Sequence, residues 1–418
     1  IEKITPGSFI MYDIKNNVLL KKKWFNFKDR NLIKLNNNSL NSKFINFEKI
    51  FSEVLTDVYN ADVNVGVMQS SGIDSTLLTA FYKKKLKKNI NTFSIGYYEN
   101  EYDESDDAKK ITDYLKVDHK IFKLSIKDQL SFIIDEIPRA YSEPFADTSQ
   151  IPSLVLSKSI KKYVSVALTG DGADELFGGY NRYKYFKFLK YTLSLPVNLR
   201  KIIFRNQKLI YLLLKKQLFN IDEKIEKFLY YIESKDKNEL TNRILSNLTE
   251  ENKLIKNFNE LDSALHSEKY DDLLHNDFEN YLPDDILVKN DRAFMYNSIE
   301  NRSPYLDYRI IEFSNSIPLN QKFNLINSKI FLRKYLNNLI PKKILNNQKK
   351  GFAFPISEFM IDNFSKIYEL LNSSTIYDII NLNRNEILDI TNNFKKNKKN
   401  YYLLWNIFIL FNWYEKNK

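Results

Sequence analysis

The sequence predicts an α/β fold: a parallel sheet with helices on both faces, followed by a mainly helical C-terminal part. Three observations predict it. Short apolar runs rich in β-branched residues, such as VNVGVM (63–68) and VSVAL (164–168), alternate with helical patterns of ten or more residues. Crossovers of that length are what parallel neighbours need. After Gly179 the text turns mainly helical to its end.

The elements follow in order. Residues 1–30 read as two short strands, PGSFIMYDI (6–14) and NNVLLKKKWF (16–25). Two strands cannot bury a face alone, so they read as the tail of a domain whose body lies outside these residues. The chain opens on Ile1 rather than Met, and a fragment is the expectation. Residues 31–43 are polar and Asn-rich, a linker composition. The expected division is therefore 1–43, remnant plus linker, and 44–418, the main domain. Phe44, Ile45, Phe47, Ile50, Phe51, Val54, Leu55 and Val58 recur at helical spacing. VNVGVM is a buried strand, QSSGIDS (69–75) a loop, and STLLTAFYKKKLKK (75–88) a helix whose Lys-rich end suits the negative pole of its dipole. TFSIG (92–96), HKIFKL (119–124) and VSVAL are strands. DESDDAKKITDYL (103–115), SIKDQLSFIIDEI (125–137) and SQIPSLVLSKSIKKY (149–163) are the helices between them. No internal repeat is present.

Composition excludes several classes. The 418 residues are 43% hydrophobic and 14% aromatic, enough for a packed core and too much for a wholly disordered chain. No run approaches the roughly 18 apolar residues of a membrane span. Cys is absent, which removes a disulfide framework, a cysteine-ligated zinc and a cysteine nucleophile, and fits a reducing cytoplasm. His119, His266 and His275 make no metal-ligand spacing. The net charge of +11 reads two ways: as an anionic partner such as a nucleotide, or as bias from Lys- and Asn-rich text such as KKNKKN at 395–400. No aromatic-studded RNA-binding strand pair is present. Phe and Tyr stripes at 183–260 and 401–414 read as core.

Two strand ends carry unusual loops, in the place where open α/β sheets bind ligands. The first is Ser70-Ser71-Gly72-Ile73-Asp74-Ser75. Small hydroxylated residues and Gly let backbone N–H groups approach an anion, and the following helix start adds its positive end. It is not a Walker A loop, since GxxxxGK followed by Ser or Thr is missing. Asp74 would repel a phosphate unless a cation lies between them, which implies Mg²⁺; the plainer reading is an N-cap Asp in an ordinary turn. The second loop, Thr169-Gly170-Asp171-Gly172-Ala173-Asp174-Glu175, crowds three carboxylates together, costly unless a cation neutralises them.

Six blocks in order resemble the synthetase domain of the glutamine-hydrolysing asparagine synthetase family, within the ATP-pyrophosphatase (PP-loop, adenine nucleotide alpha hydrolase-like) superfamily. They are DVNVGVMQSSGIDS (62–75), TFSIGYYENEYDESDDA (92–108), SEPFADTSQIPS (142–153), VALTGDGADELFGGYNRY (166–183), YLPDDILVKNDRAFMYNSIENRSPYLD (281–307) and NNQKKGFAFPI (346–356). The opening ITPGSF (4–9) and KKKWF (21–25) are similar to the closing strands of that family's glutaminase domain. The resemblance implies that Ser70, Gly72, Asp74 and Ser75 grip the β,γ-pyrophosphate of ATP. It puts Met68, Ile95, Thr169 and Gly170 around the adenosine, and Asp74 and Asp174 on Mg²⁺. It gives Asp171 and Lys349 to the reacting centre. Ser71 stands where the family usually has Gly, and Asp171 where it usually has Glu. Glu300 and Arg302 are read either as substrate-pocket residues or as a structural ion pair, and Lys289, Asp291 and Arg292 as structural.

The implied reaction is ATP-dependent amide formation: an acid, aspartate first, becomes an acyl-adenylate, and ammonia displaces AMP. With no Cys, these residues are not expected to hydrolyse glutamine. The partners expected are small molecules, with no nucleic acid and no membrane, and a homodimer as the assembly to test. Other readings are a relative amidating a different acid or closing a β-lactam, a tRNA-thiolating PP-loop enzyme, which commonly needs Cys, and a degenerate scaffold.

Overall fold

The structure, a computed structural model, describes residues 3–25, 39–99, 103–204, 228–236, 239–240, 243–244, 273–345, 354–380, 382–398 and 400–418. Near the start, β1 (Ser8–Asp13) and β2 (Val18–Lys23) form the expected antiparallel pair, in register from Ser8↔Lys23 to Asp13↔Val18. Phe9, Ile10, Met11, Leu19 and Leu20 on this hairpin are exposed.

The main sheet has five strands, all parallel, in the order β5-β4-β3-β6-β7. They are β3 (Val65–Met68), β4 (Asn91–Tyr97), β5 (His119–Leu124), β6 (Val166–Leu168) and β7 (Glu300–Arg302). The first four match the apolar runs of the sequence. The fifth departs from the mainly helical reading after Gly179. It is three residues long, polar, and at the sheet edge, so no apolar run announces it. Its ladder to β6 holds it, flanked by Glu300 N–H to Ser165 O (2.9 Å) and Thr169 N–H to Arg302 O (3.0 Å).

Each face of the sheet carries a core. Alternation along β6 shows this: Ala167 enters one core with Phe93, Ile95, Leu154, Trp405 and Phe408, while Val166 and Leu168 enter the other with Phe47, Phe51, Leu77, Phe81 and Phe331. The aromatic stripe at 401–414 is core as expected, and Tyr183, Phe204 and Phe228 form a smaller third cluster. Among the described residues no helix is long and apolar enough to cross a membrane.

Helix ends differ from the sequence pattern, as in Ile73–Lys84 for the stretch 75–88 and Gln150–Ile160 for 149–163, and two differences have a local cause or break a helix. The first helix begins at Leu40, not Phe44, because Ser39 caps it: its hydroxyl accepts from Ser42 N–H at 3.2 Å. The stretch 125–137 is not one helix but a 3₁₀ turn (Lys127–Gln129), a helix Leu130–Asp135 and a short helix Ile137–Ala140. Pro138, with no N–H to donate, sits in the first turn of the last piece.

The chain runs β3 to β4 to β5 in one direction, then places β6 on the other side of β3. The loops leaving β3 and β6 therefore part in opposite directions, and a crevice opens between them. Both sequence-flagged loops lie at this switch point.

Candidate active site

The first loop is internally braced. Ser70 N–H donates to Ser75 Oγ at 3.1 Å, the two hydroxyl oxygens are 2.9 Å apart, and Gly72 N–H donates to Ser70 Oγ at 3.1 Å. The helix Ile73–Lys84 starts here with Gly72 at its N-cap and no side-chain cap. An uncapped helix start of this kind is a terminus suited to an anion. Asp74 sits inside that first turn, which removes the N-cap reading of it. Ser71 hydrogen-bonds Glu104 Oε2 at 2.8 Å, a tie that a Gly at this position could not make.

The second loop turns on Gly172, whose φ of +85° is natural only to Gly and whose added Cβ would lie 2.4 Å from Leu306. Thr169 Oγ1 and Asn290 Nδ2 both donate to Asp171 Oδ2 at 2.7 Å, which fixes that carboxylate beside the end of β6. Glu175 faces inward, 2% exposed, and accepts from Tyr180 OH at 2.5 Å. Burial first, and the Asp174 charge second, push it up to about 7.

The loops meet closely. A Cβ on Gly170 would stand 2.8 Å from Asp74 Cβ, and one on Gly179 would overlap the Asp174 carboxylate. Asp74 Oδ2 and Asp174 Oδ1 converge on one cation, the Lys329 ammonium, at 2.5 and 2.8 Å. Tyr305 OH, deep in the core, holds Asp74 O at 3.1 Å.

This arrangement lies within the stretch 47–415 that the asparagine synthase family profile matches. The chain belongs to the asparagine synthase family. It is similar to asparagine synthetase (glutamine-hydrolyzing) 1 of Bacillus subtilis strain 168, at 27% identity over 390 residues, covering 88% of this chain and 60% of that protein. It is also similar to asparagine synthetase (glutamine-hydrolyzing) 3 of the same organism, at 26% over 328 residues, covering 75% and 49%. The chain thus spans half to three-fifths of the length of these relatives.

For this asparagine synthase family chain, most of the residues singled out by sequence come together. Met68, Ser70, Ser71, Gly72, Asp74, Ser75, Thr169, Gly170, Asp171 and Asp174 cluster at the carboxyl ends of β3 and β6. Ile95 lies within β4, two residues from its end, 8% exposed. Lys349 lies outside the described residues. Glu300 and Arg302 pair with each other at 2.8 Å, and Arg302 Nη1 also donates to Val58 O and Asn60 O at 2.8 and 3.0 Å. An ion pair tied to the end of the first helix is the arrangement that the structural one of the two readings expects. Lys289 is buried and reaches Asp147 at 3.4 Å, while Asp291 and Arg292 are exposed. Burial first and the Asp147 charge second raise the neighbouring Asp285, while at Asp147 burial is outweighed by the Lys289 charge and hydrogen bonds together, which lower it.

Two site residues escaped the sequence reading. Lys329 is one of 63 Lys and Arg residues in Lys-rich text, with nothing local to mark it. Asn290 lies among charged neighbours with nothing local to mark it, and only its contact with Asp171 reveals it.

Proposed function

We propose that the chain is an ATP-dependent carbon–nitrogen ligase that adenylates a carboxylic acid, aspartate first, and converts it to the amide, asparagine. The observation carrying this reading is the convergence of Asp74 and Asp174 on one cationic point beside the open helix start of the Ser70–Ser75 loop.

In the proposed reaction the acid's side-chain carboxylate oxygen attacks the α-phosphorus of ATP. The bond from that phosphorus to the bridging oxygen breaks and pyrophosphate leaves. Ammonia then attacks the acyl carbon, AMP departs with the carboxylate oxygen, and a proton is released. Ser70, Gly72, Ser75 and the first-turn N–H groups hold the departing pyrophosphate, where negative charge develops. Met68, Ile95, Thr169 and Gly170 border the nucleoside. Asp171, fixed by Thr169 and Asn290, faces the reacting centre, and Lys349 offsets charge where carboxylate and phosphate approach.

Mg²⁺ fits the residues present. Two carboxylate oxygens already meet at one cation, and Mg²⁺ is commonly held by one or two carboxylates together with phosphate oxygens and waters. Asp74 and Asp174 would hold it, and it would neutralise charge on the pyrophosphate.

The 418 residues contain no Cys, so ammonia comes from elsewhere, as free ammonia or from a glutaminase unit. We assign the residues before the first helix to the end of such a unit plus linker, since the β1–β2 hairpin leaves apolar side chains exposed, and the chain from Leu40 to the synthetase domain, which moves the boundary expected at 43/44 to the start of that helix.

The test is pyrophosphate release with ATP, Mg²⁺ and ammonium across a panel of acids, with the amide identified by mass. Aspartate-dependent release with asparagine formed supports the full reading. Release with a different acid keeps the mechanism and changes the substrate. No release with any acid from a folded chain contradicts it.

A further inference from the structure

Lys329 is a built part of the site rather than a passing surface lysine. Its ammonium touches both Asp74 and Asp174, and its side chain is 6% exposed. Its backbone has φ +51° and ψ 40°, a left-handed conformation that Lys rarely adopts, at the N-cap of the helix Ile330–Leu336. Neighbours hold it there: Lys329 N–H reaches Gly178 O at 3.4 Å, and Arg333 N–H donates to Lys329 O at 2.8 Å. Gly179 leaves room for the stem, since a Cβ there would lie 2.3 Å from Lys329 Cε.

We infer that Lys329 is an internal counter-ion that makes this site select a metal–nucleotide complex over the free metal. The inference rests on the function proposed above. Mg²⁺ bonds carboxylate oxygens at about 2.1 Å. It cannot share these two oxygens with an ammonium already in contact with both, because two cations that close repel strongly in a partly dry site. Free metal must therefore expel the ammonium and leave it without an anion, which is unfavourable for a buried charge. Nucleotide phosphates bring negative charge to the same place and receive the expelled ammonium. Metal and nucleotide then strengthen each other's binding reciprocally. Arg333, whose charge also acts on Asp74, adds to the cost of free metal.

The test measures Mn²⁺ binding to the full chain by calorimetry, with and without a non-hydrolysable ATP analogue. Wild type should bind Mn²⁺ alone at least tenfold more weakly than with the analogue. Lys329→Met should bind Mn²⁺ alone at least tenfold more tightly than wild type, while Lys329→Arg, which keeps the charge, should stay weak. A Lys329→Met protein that is folded by circular dichroism and has unchanged or weaker affinity for Mn²⁺ alone overturns the inference. Should that variant not fold, wild type labelled with ¹³C at lysine Cε decides, its Lys329 signal assigned by its loss in Lys329→Arg. That signal should ignore Mg²⁺ alone and move with Mg²⁺ plus analogue; movement with Mg²⁺ alone overturns the inference. Normal metal–nucleotide binding with no Lys329 effect defeats this inference only. Absence of metal–nucleotide binding defeats the proposed function and this inference with it.

Discussion

Asp74 and Asp174 bring two carboxylates within contact of one ammonium, a geometry that only a cation makes tolerable. Asp74→Asn removes one of those charges while Lys329 keeps Asp174 as a partner, so the fold should persist. Metal-dependent pyrophosphate release should fall at least a hundredfold; release at the wild-type rate would sink the metal role of Asp74. Lys349→Ala should slow adenylate formation far more than it weakens ATP binding, read by pre-steady-state kinetics beside nucleotide titration. Normal turnover with altered nucleotide affinity would contradict its place at the reacting centre. Glu175 makes a separate prediction through pH. Its folded-state value of about 7 lies above the ordinary 4.5, so the fold retains a proton that the unfolded chain has released. That contribution is full below about pH 4.5 and is lost as pH rises through about 7. Glu175→Gln, which still accepts from Tyr180, should flatten the decline of melting temperature between pH 5 and 8; an unchanged slope would assign the decline to other groups. At this scale the sequence was informative where residue type is rare in context. Ser, Gly and Asp packed at a strand end stand out, whereas Lys329 does not, because a buried lysine and a solvated one are spelled alike and a φ of +51° leaves no mark in the text.

Elements place these residues. The helix Ile73–Lys84 starts where β3 stops, which is why a hydroxyl-rich loop and an open helix start coincide. β7 closes the other side of β6, and its Arg302 binds the carbonyls of Val58 and Asn60 at the end of the first helix. Arg302→Ala should therefore destabilise the fold by about 1–3 kcal/mol, as expected for lost hydrogen bonds to a charged group. The urea midpoint should fall while KM for the acid stays near wild type; a raised KM with unchanged stability would favour the substrate-pocket reading instead. Strands β3, β4 and β6 were legible as largely buried apolar runs, and the edge strand β5, HKIFKL and only partly buried, by its apolar residues between two helical patterns. β7 was not, because three polar edge residues have no periodicity to detect, and the ladder to β6 alone makes them a strand. The single helix expected over 125–137 is three pieces, and Pro138, one residue beyond that stretch, sits at the start of the last of them.

At the scale of the whole molecule, strand order does what no single element can. Placing β6 on the far side of β3 parts two loops that are about 95 residues distant in sequence, yet faces their carboxylates across one crevice. Alternation of strand and helix made the parallel sheet legible, and the order of the six blocks made the family legible. The convergence on Lys329 required the fold. The net charge of +11 does not by itself identify a partner, and the proposed reaction needs only a few groups at the switch point to hold its anion. The central claim is that the acid attacks the α-phosphorus. Turnover with an acid bearing ¹⁸O in its reacting carboxylate tests this most directly, by mass analysis of the released AMP and phosphate. The account predicts one ¹⁸O in AMP and none in pyrophosphate. Label in inorganic phosphate, with ADP as the nucleotide product, would contradict it.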